Sequence, residues 1–367
     1  GRSAIPETGV WDGKDDSGRW VGDGAYRAYI AAEFANGNRE EGRSAPILVD
    51  TQFPEIAVRT PFQIFSPDGD GRRDQIRFTQ SSSSEALWEG HIRGPDGTVV
   101  RSYVWKGTAQ SFTWDGTDEA GNVVSDGFYT YEIGATDPAG NSAAARIDGI
   151  VLDSRQTTVF VTANRDSFSP NGDDVLERLE LQAYTNLVDG ATRWELAILS
   201  ETGRVVRVFE GSDVLASRTI EWDGTDSVGQ VVDGVYRARF TVEYEKGNRP
   251  VESTGPFTVD TTPPDVNVTL APVPFSPDND GVNDELSIGI DVEDGSPIRA
   301  WRFEILDRND RFFHQFAGRG DPAREIIWDG RSSDGELGIS AESYPYRFTI
   351  SDDVGNITQT SGTIPID

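Results

Sequence analysis

Apolar and polar residues alternate along most of this chain. In Phe128-Tyr129-Thr130-Tyr131-Glu132-Ile133, one face carries Tyr129, Tyr131 and Ile133. Val235-Tyr236-Arg237-Ala238-Arg239-Phe240 does the same with Tyr236, Ala238 and Phe240, as does Tyr344-Pro345-Tyr346-Arg347-Phe348. Trp194, Leu196 and Ile198 alternate with Glu195 and Ala197, and a Glu201-Thr202-Gly203 turn then leads into another apolar run. A period of two predicts strands with one face buried. Pro95-Asp96-Gly97 and Arg308-Asn309-Asp310 supply turn residues at equivalent hairpins. No stretch of ten or more residues has a helical period. Short strands joined by frequent turns predict an all-β chain of antiparallel sandwiches.

The pattern is copied. Trp-Asp-Gly begins at Trp11, Trp114, Trp222 and Trp328, at spacings of 103, 108 and 106 residues. Phe-Ser-Pro begins at Phe65, Phe168 and Phe275, spaced 103 and 107, and Trp88, Trp194 and Trp301 are spaced 106 and 107. Three landmarks share one period, so the chain is a tandem array. Each Trp-Asp-Gly precedes a closing aspartate by 38 or 39 residues, at Asp50, Asp153, Asp260 and Asp367. The expected domains are therefore a partial repeat at 1–50, then complete repeats at 51–153, 154–260 and 261–367, strung out as an extended array. Thr261-Thr262-Pro263-Pro264 reads as a short, stiff linker. Starting in mid-repeat, the chain reads as a piece of a longer protein.

The order of motifs carries a resemblance. Phe-Ser-Pro, a strand, a hairpin, then Trp-Asp-Gly-Thr-Asp-x-x-Gly and Asp-Gly-x-Tyr is similar to the immunoglobulin-like domain of bacterial flagellar hook-capping proteins. Trp222-Asp223-Gly224-Thr225-Asp226 through Asp233-Gly234-Val235-Tyr236 matches it best. Ser276–Asp284 resembles the start of gliding-motility-associated C-terminal domains. Asp137-Pro138-Ala139-Gly140-Asn141 and Val259–Pro264 are similar to turns in tandem bacterial surface immunoglobulin-like arrays. The resemblance implies tandem antiparallel immunoglobulin-like β-sandwiches. It specifies function poorly, because such modules serve as spacers in many unrelated proteins.

Charge narrows the partners. The net charge is −29, with 62 acids against 33 bases, and Lys14, Lys106 and Lys246 are the only lysines. Phosphate backbones and anionic membranes both need a basic surface, so neither nucleic acid nor a membrane is an expected partner. No apolar run approaches the roughly 18 residues that a spanning helix needs. The chain has no cysteine, which removes disulfides, thiol catalysis and thiolate metal sites.

The acidic turn after each Phe-Ser-Pro is the candidate chemistry. Two carboxylates about 5 Å apart repel by roughly 0.8 kcal/mol in water, or 3 at an effective dielectric of 20, so an ordered loop with three needs compensation. Calcium supplies it, with six to eight hard oxygen ligands drawn from alternate residues around glycine-permitted turns. The expected ligands are Asp68, Asp70 and Asp74 with the Arg72 carbonyl, then Asn171, Asp173 and Glu177 with the Val175 carbonyl. The third set is Asp278, Asp280 and Asp284 with the Val282 carbonyl. The spacing resembles the first part of an EF-hand loop without its helices or its final bidentate glutamate. Further ligands must come from elsewhere, such as the Asp137 loop or a neighbouring domain. The second loop departs from the pattern, with Asp174 in place of glycine and Glu177 in place of the last aspartate. The competing reading is a set of solvated hairpin turns.

Trp-Asp-Gly reads as core packing by tryptophan, with the aspartate accepting turn N–H groups. Trp20 and Trp105 fall outside the repeating positions and are the candidates for exposed aromatic platforms. Asp50, Asp153 and Asp260 are either strand-ending aspartates or members of inter-domain calcium sites with the Asp-x-x-Gly-Asn loops. His91 and His314 are the only histidines; neither has a nucleophile-elbow context, and both read as surface strand residues. Lys–Asn cross-links would need a buried lysine in each domain, and 261–367 has no lysine. The expectation is a non-enzymatic, calcium-stabilised spacer in a large bacterial surface, secreted or periplasmic protein, with its neighbouring domains as partners. Two alternatives stay open: an adhesin or module binding a surface glycan or protein, and a motility or export-apparatus scaffold.

Overall fold

A computed structural model describes residues 8–339 and 341–367; residues 1–7 of the partial repeat and Ser340 lie outside it. The described residues contain strands, turns and bridges, and no helix. The described residues divide into two compact units, one reaching to Gln156 and including Glu245–Asn248, the other of Thr157–Tyr244 with the residues from Arg249 onward.

In the first unit, Gly24–Tyr26 pairs with Ile47–Val49 and Tyr29–Glu33 with Arg39–Arg43. Beyond them stands a sandwich. One sheet runs Phe112–Trp114, Ile76–Ser82, Ile56–Arg59, and the other Ile64–Phe65, Ser142–Leu152, Gly127–Thr136, Glu85–Arg93, Val99–Gly107. The alternation read from sequence is the burial pattern, with Tyr129, Tyr131 and Ile133 all 2% exposed or less. In the second unit the same arrangement appears twice. Val159–Ala163, Leu179–Thr185 and Ser217–Trp222 face the larger sheet built on Ala191–Ser200 and Gly234–Tyr244. Asp265–Ala271, Leu286–Glu293 and Glu325–Trp328 face Phe312–Arg319, Ile298–Leu306, Ser343–Asp352 and Ile357–Pro365. These are antiparallel immunoglobulin-like sandwiches, each with its own apolar core.

The recurring motifs meet in those cores. Phe65, Phe168 and Phe275 are fully buried, and Trp114, Trp222 and Trp328 are 1% exposed. Their ring centroids lie 5.4, 5.6 and 5.4 Å apart in the three sandwiches. Each tryptophan donates its indole N–H to the carbonyl of the residue three positions on: Thr117, Thr225 and Arg331. The aspartate between accepts the N–H of that same residue. Trp11, in the partial repeat, makes the same indole bond to Lys14 but is 42% exposed.

The glycine of Trp-Asp-Gly is needed twice over. Gly116, Gly224 and Gly330 have φ of +78, +76 and +76°, where an L side chain is strained. A Cβ there would also meet the Phe-Ser-Pro proline, at 3.1 Å from Pro67, 2.6 Å from Pro170 and 2.7 Å from Pro277. The two motifs recur together because the proline ring fills the space the glycine leaves. Gly224→Ala combines left-handed strain with overpacking, and should cost roughly 2–4 kcal/mol. Urea denaturation of the variant would show this as a lower midpoint for the transition that includes this sandwich. An unchanged midpoint would mean that the contact contributes nothing.

Candidate metal-binding loops and boundary carboxylates

Each Phe-Ser-Pro feeds a loop of one fixed design. The serine N–H reaches across to a carbonyl seven residues on: Ser66 to Arg73 at 3.0 Å, Ser169 to Leu176 at 3.1 Å, Ser276 to Asn283 at 2.9 Å. Three positions per loop turn left-handed: Gly69, Gly71 and Arg73; Gly172, Asp174 and Leu176; Asn279, Gly281 and Asn283. The backbone is thus the same in all three copies although the residues differ.

The acids hold this backbone. Asp74 accepts the N–H of Gly69 on one oxygen and that of Gly71 on the other, both at 2.9 Å. Asp284 treats Asn279 and Gly281 alike, at 2.6 and 2.8 Å. Asp70, Asp173 and Asp280 each accept the N–H two residues on. In the first and third loops, carboxylate oxygens of Asp68, Asp70 and Asp74, and of Asp278, Asp280 and Asp284, lie within 4.8 Å of one another. At that distance two charges repel by about 0.9 kcal/mol in water and about 3.5 at an effective dielectric of 20. In the second loop, one oxygen of the longer Glu177 takes three N–H groups, from Gly172, Asp173 and Asp174. Asn171 donates to Asp173 at 3.3 Å and to Asn356 at 2.9 Å. The expected carbonyl ligands Arg72, Val175 and Val282 lie in these same turns, each with its own N–H on the loop's central aspartate.

Asparagines remote in sequence approach two of the loops. Asn248, in the first unit and 3% exposed, donates to Asp68 at 2.5 Å and Asp70 at 3.0 Å. In the second unit Asn356, 1% exposed, accepts from Ser169 at 2.6 Å and from Asn171. Sequence reasoning missed both. The available signal was Gly140-Asn141, Gly247-Asn248 and Gly355-Asn356, which recur at the array period.

The closing aspartates differ from one another. Asp50, Asp153 and Asp260 each accept the N–H two residues on. Around Asp50, Asn141 donates to the carbonyls of Asp50 and Gln52, at 3.0 and 3.3 Å. Asp153 instead meets Lys246, a residue 2% exposed, whose ammonium bonds the Asp153 carboxylate at 3.2 Å and the Arg155 carbonyl. Burial pushes the Asp153 carboxyl up, but Arg155 hydrogen bonds and the Lys246 charge outweigh it, holding its pKa at about 2.

Asp260 joins Asp294 and Asp352 in a buried group whose oxygens converge within 4.8 Å. Asp352 caps its own loop, accepting N–H groups from Val354, Gly355 and Asn356. Ser296 donates to Asp260. One Asp294 oxygen is buried with no hydrogen-bond partner. Burial, with the Asp260 charge adding to it, raises the carboxyls of both Asp294 and Asp352 above their ordinary range. The sequence named Asp260 and, as a pattern without a residue number, the Asp-x-x-Gly-Asn loops to which Asp352 belongs; Asp294, beyond the end of Leu286–Glu293, carried no motif.

Trp105, His91 and His314 sit differently from expectation, whereas Trp20 is exposed as expected. Trp105 is half-buried, stacked on Tyr103 at 5.8 Å and packed on the core, because its strand turns that face inward. Trp20 is 74% exposed, with the Lys14 ammonium 4.8 Å from its ring centre. His91 and His314 are half-buried rather than superficial; His314 packs on Phe316 at 4.7 Å, and its Nδ1 is buried without a partner.

Residues 64–139 match the family described as the FlgD Ig-like domain. Among solved structures, a tetra-tandem repeat from the extending region of a large adhesion protein is 17% identical, covering 94% of this chain and 82% of that one, at a TM-score of 0.35. A structure of a 1.5-MDa bacterial ice-binding adhesin, concerned with host cell surface retention, is 14% identical, covering 87% and 99%, at 0.33. Dimeric latent PorU from Porphyromonas gingivalis is 14% identical, covering 85% and 34%, at 0.23. Likeness at these scores carries no argument about function. No curated protein matches the chain.

Two outcomes follow from the closing aspartates. Lys246→Met leaves the buried Asp153 carboxylate with Arg155 alone and should cost about 3 kcal/mol, since removing one partner strands a charge. Because the folded Asp153 pKa is depressed, the stability it brings is present above 3.8 and is lost as pH falls toward about 2. The parent-minus-variant difference in urea stability should shrink over that window; a constant difference would contradict the pairing. Asp294 and Asp352 have the opposite sign. Their folded pKa values are raised, so in calcium-free buffer stability falls as pH rises from 3.8 through those values. Asp294→Asn should therefore be more stable than the parent at neutral pH, with the gap closing on acidification.

Proposed function

We propose that this chain is a non-enzymatic structural spacer of a large bacterial surface, secreted or periplasmic protein, and that calcium stabilises its first and third Phe-Ser-Pro loops. One observation carries the reading: in the first and third loops the fixed backbone draws three carboxylates within 4.8 Å while their charge stays uncompensated by any basic side chain of the loop. Arg73, within the first loop, turns away and lies over Phe62 at 4.8 Å. Hard oxygens at this spacing suit calcium, which tolerates irregular coordination by six to eight ligands. The proposal covers Asp68, Asp70 and Asp74 with the Arg72 carbonyl, and Asp278, Asp280 and Asp284 with the Val282 carbonyl. Asn171, Asp173 and Glu177 are already engaged with one another's backbone and with Asn356, so the second loop is self-sufficient without a metal.

A spacer needs modules that stay folded in series, and repeated sandwiches with separate cores supply them. Calcium acts on such modules by mass action. With the affinity usual for extracellular modules, about 10⁻⁴ to 10⁻³ M, calcium at 1 mM adds about 0.4–1.4 kcal/mol per site. The aromatic-platform alternative is weakened by the inward packing of Trp105 and by Lys14 lying over Trp20.

Calorimetric melting of the full chain tests the reading. Calcium at 1 mM should raise the transitions by a few degrees over chelator, and Asp278→Asn with Asp284→Asn should remove part of that gain. Identical melts in calcium and chelator would contradict it.

A further inference from the structure

We propose that Asn248 is a ligand of the cation held by the Asp68 loop, supplying its Oδ1 after its amide turns over. The inference rests on the calcium reading of that loop and adds to it a residue 180 positions away in sequence.

Asn248 has two faces with opposite fortunes. Its Nδ2 donates to Asp68 Oδ2 at 2.5 Å and to Asp70 Oδ2 at 3.0 Å. Its Oδ1 is buried and has no hydrogen-bond partner, in a residue only 3% exposed. The hydroxyl of Ser66, 0% exposed at the start of the same loop, is also without a partner. Leaving two buried polar atoms unpaired costs roughly 1–3 kcal/mol each. Native proteins seldom tolerate that without a further group to satisfy them.

The second unit displays the satisfied version. There Ser169, the counterpart of Ser66, donates to Asn356 Oδ1 at 2.6 Å. Asn171, the counterpart of Asp68, donates to that same oxygen at 2.9 Å. The Asn356 amide nitrogen faces the other way, to the carbonyls of Asp260 and Thr262 and to Asp352. So the arrangement that pairs every atom has the asparagine oxygen turned toward the loop, held by a hydroxyl and by one positive group on the loop side. In the second loop that positive group is the Asn171 N–H. In the first loop position 68 is a carboxylate and has no proton to give, so the amide presents its nitrogen instead, orphaning its oxygen and Ser66.

A cation between Asp68 and Asp70 takes the place of the missing N–H. It neutralises the two oxygens that Nδ2 now serves, and it attracts Oδ1. A half-turn of the amide then brings Oδ1 onto the ion and toward Ser66, pairing both orphaned atoms, and releases Nδ2 from the two carboxylates that the ion now neutralises. Asn248 thereby supplies one of the ligands that the short loop cannot provide. The same logic explains why a loop with asparagine at its first ligand position closes without a metal.

Isothermal titration of the full chain with calcium chloride tests this. The parent carries Asp278→Asn, Asp284→Asn and Asp294→Asn, which silences the other two acid groups. Asn248→Ala should weaken the remaining calcium site by about ten-fold, and Ser66→Ala by less. Asn248→Asp keeps the oxygen and loses the donor; it should retain or tighten calcium binding. Loss of calcium binding in Asn248→Asp would overturn the proposal, since it would mean that the amide acts as a donor. Unchanged affinity in a folded Asn248→Ala would also overturn it. If that variant does not fold, the Asp substitution decides alone. Asp68→Asn with Asp70→Asn separates the two levels. If this double variant abolishes binding while Asn248→Ala does not alter it, the loop binds calcium without Asn248. If the double variant binds as the parent does, the calcium reading of the loop has itself failed.

Discussion

A proline ring resting on a glycine sets the geometry of this protein. In each described sandwich the proline of Phe-Ser-Pro fills the space above the left-handed glycine of Trp-Asp-Gly, while the phenylalanine and tryptophan of the same motifs touch in the core. One contact joins two segments about 50 residues apart and fixes the point from which the acidic loop departs. The serine between the two anchors then closes the loop with its own N–H. Loop shape is therefore set by core packing, which is stiff, together with the acids that accept the loop's own N–H groups. That is why Gly-Asp-Gly, Gly-Asp-Asp and Asn-Asp-Gly adopt the same turns.

A loop shaped from outside can hold charges that would otherwise separate. The carboxylates pay some of their repulsion back through backbone N–H groups, since Asp74 and Asp284 each span two of them. The residual repulsion is the energetic opening for a cation. The buried boundary groups show two answers to one problem. At Asp153 the chain supplies its own positive charge in Lys246, and the carboxyl is held at a pKa of about 2. At Asp260 two further carboxylates take part, and burial raises Asp294 and Asp352.

The fold was legible because its signals are local and repeated. Alternation marked Tyr129, Tyr131 and Ile133 as inward, and the structure buries all three. The immunoglobulin-like character followed from motif order, and residues 64–139 match the corresponding family. The acidic loops were legible as crowded carboxylates. What joins them was not. Asn248 and Asn356 lie 180 and 185 residues from their partners Asp68 and Asn171, and no local pattern encodes such a pairing. Trp105 was misread because a break in the repeat was taken for exposure, whereas strand Val99–Gly107 simply turns that residue toward the core. Lys246 carries no motif, and it is buried against Asp153, 93 residues away.

The central claim is that the first and third Phe-Ser-Pro loops hold a divalent ion between their carboxylates. Crystals grown with saturating calcium, measured at a wavelength where calcium scatters anomalously, test it most directly. The account predicts anomalous peaks about 2.3–2.6 Å from the carboxylates of Asp68, Asp70 and Asp74 and of Asp278, Asp280 and Asp284. Loops with the same backbone but no peak, their carboxylates turned to solvent, would contradict it.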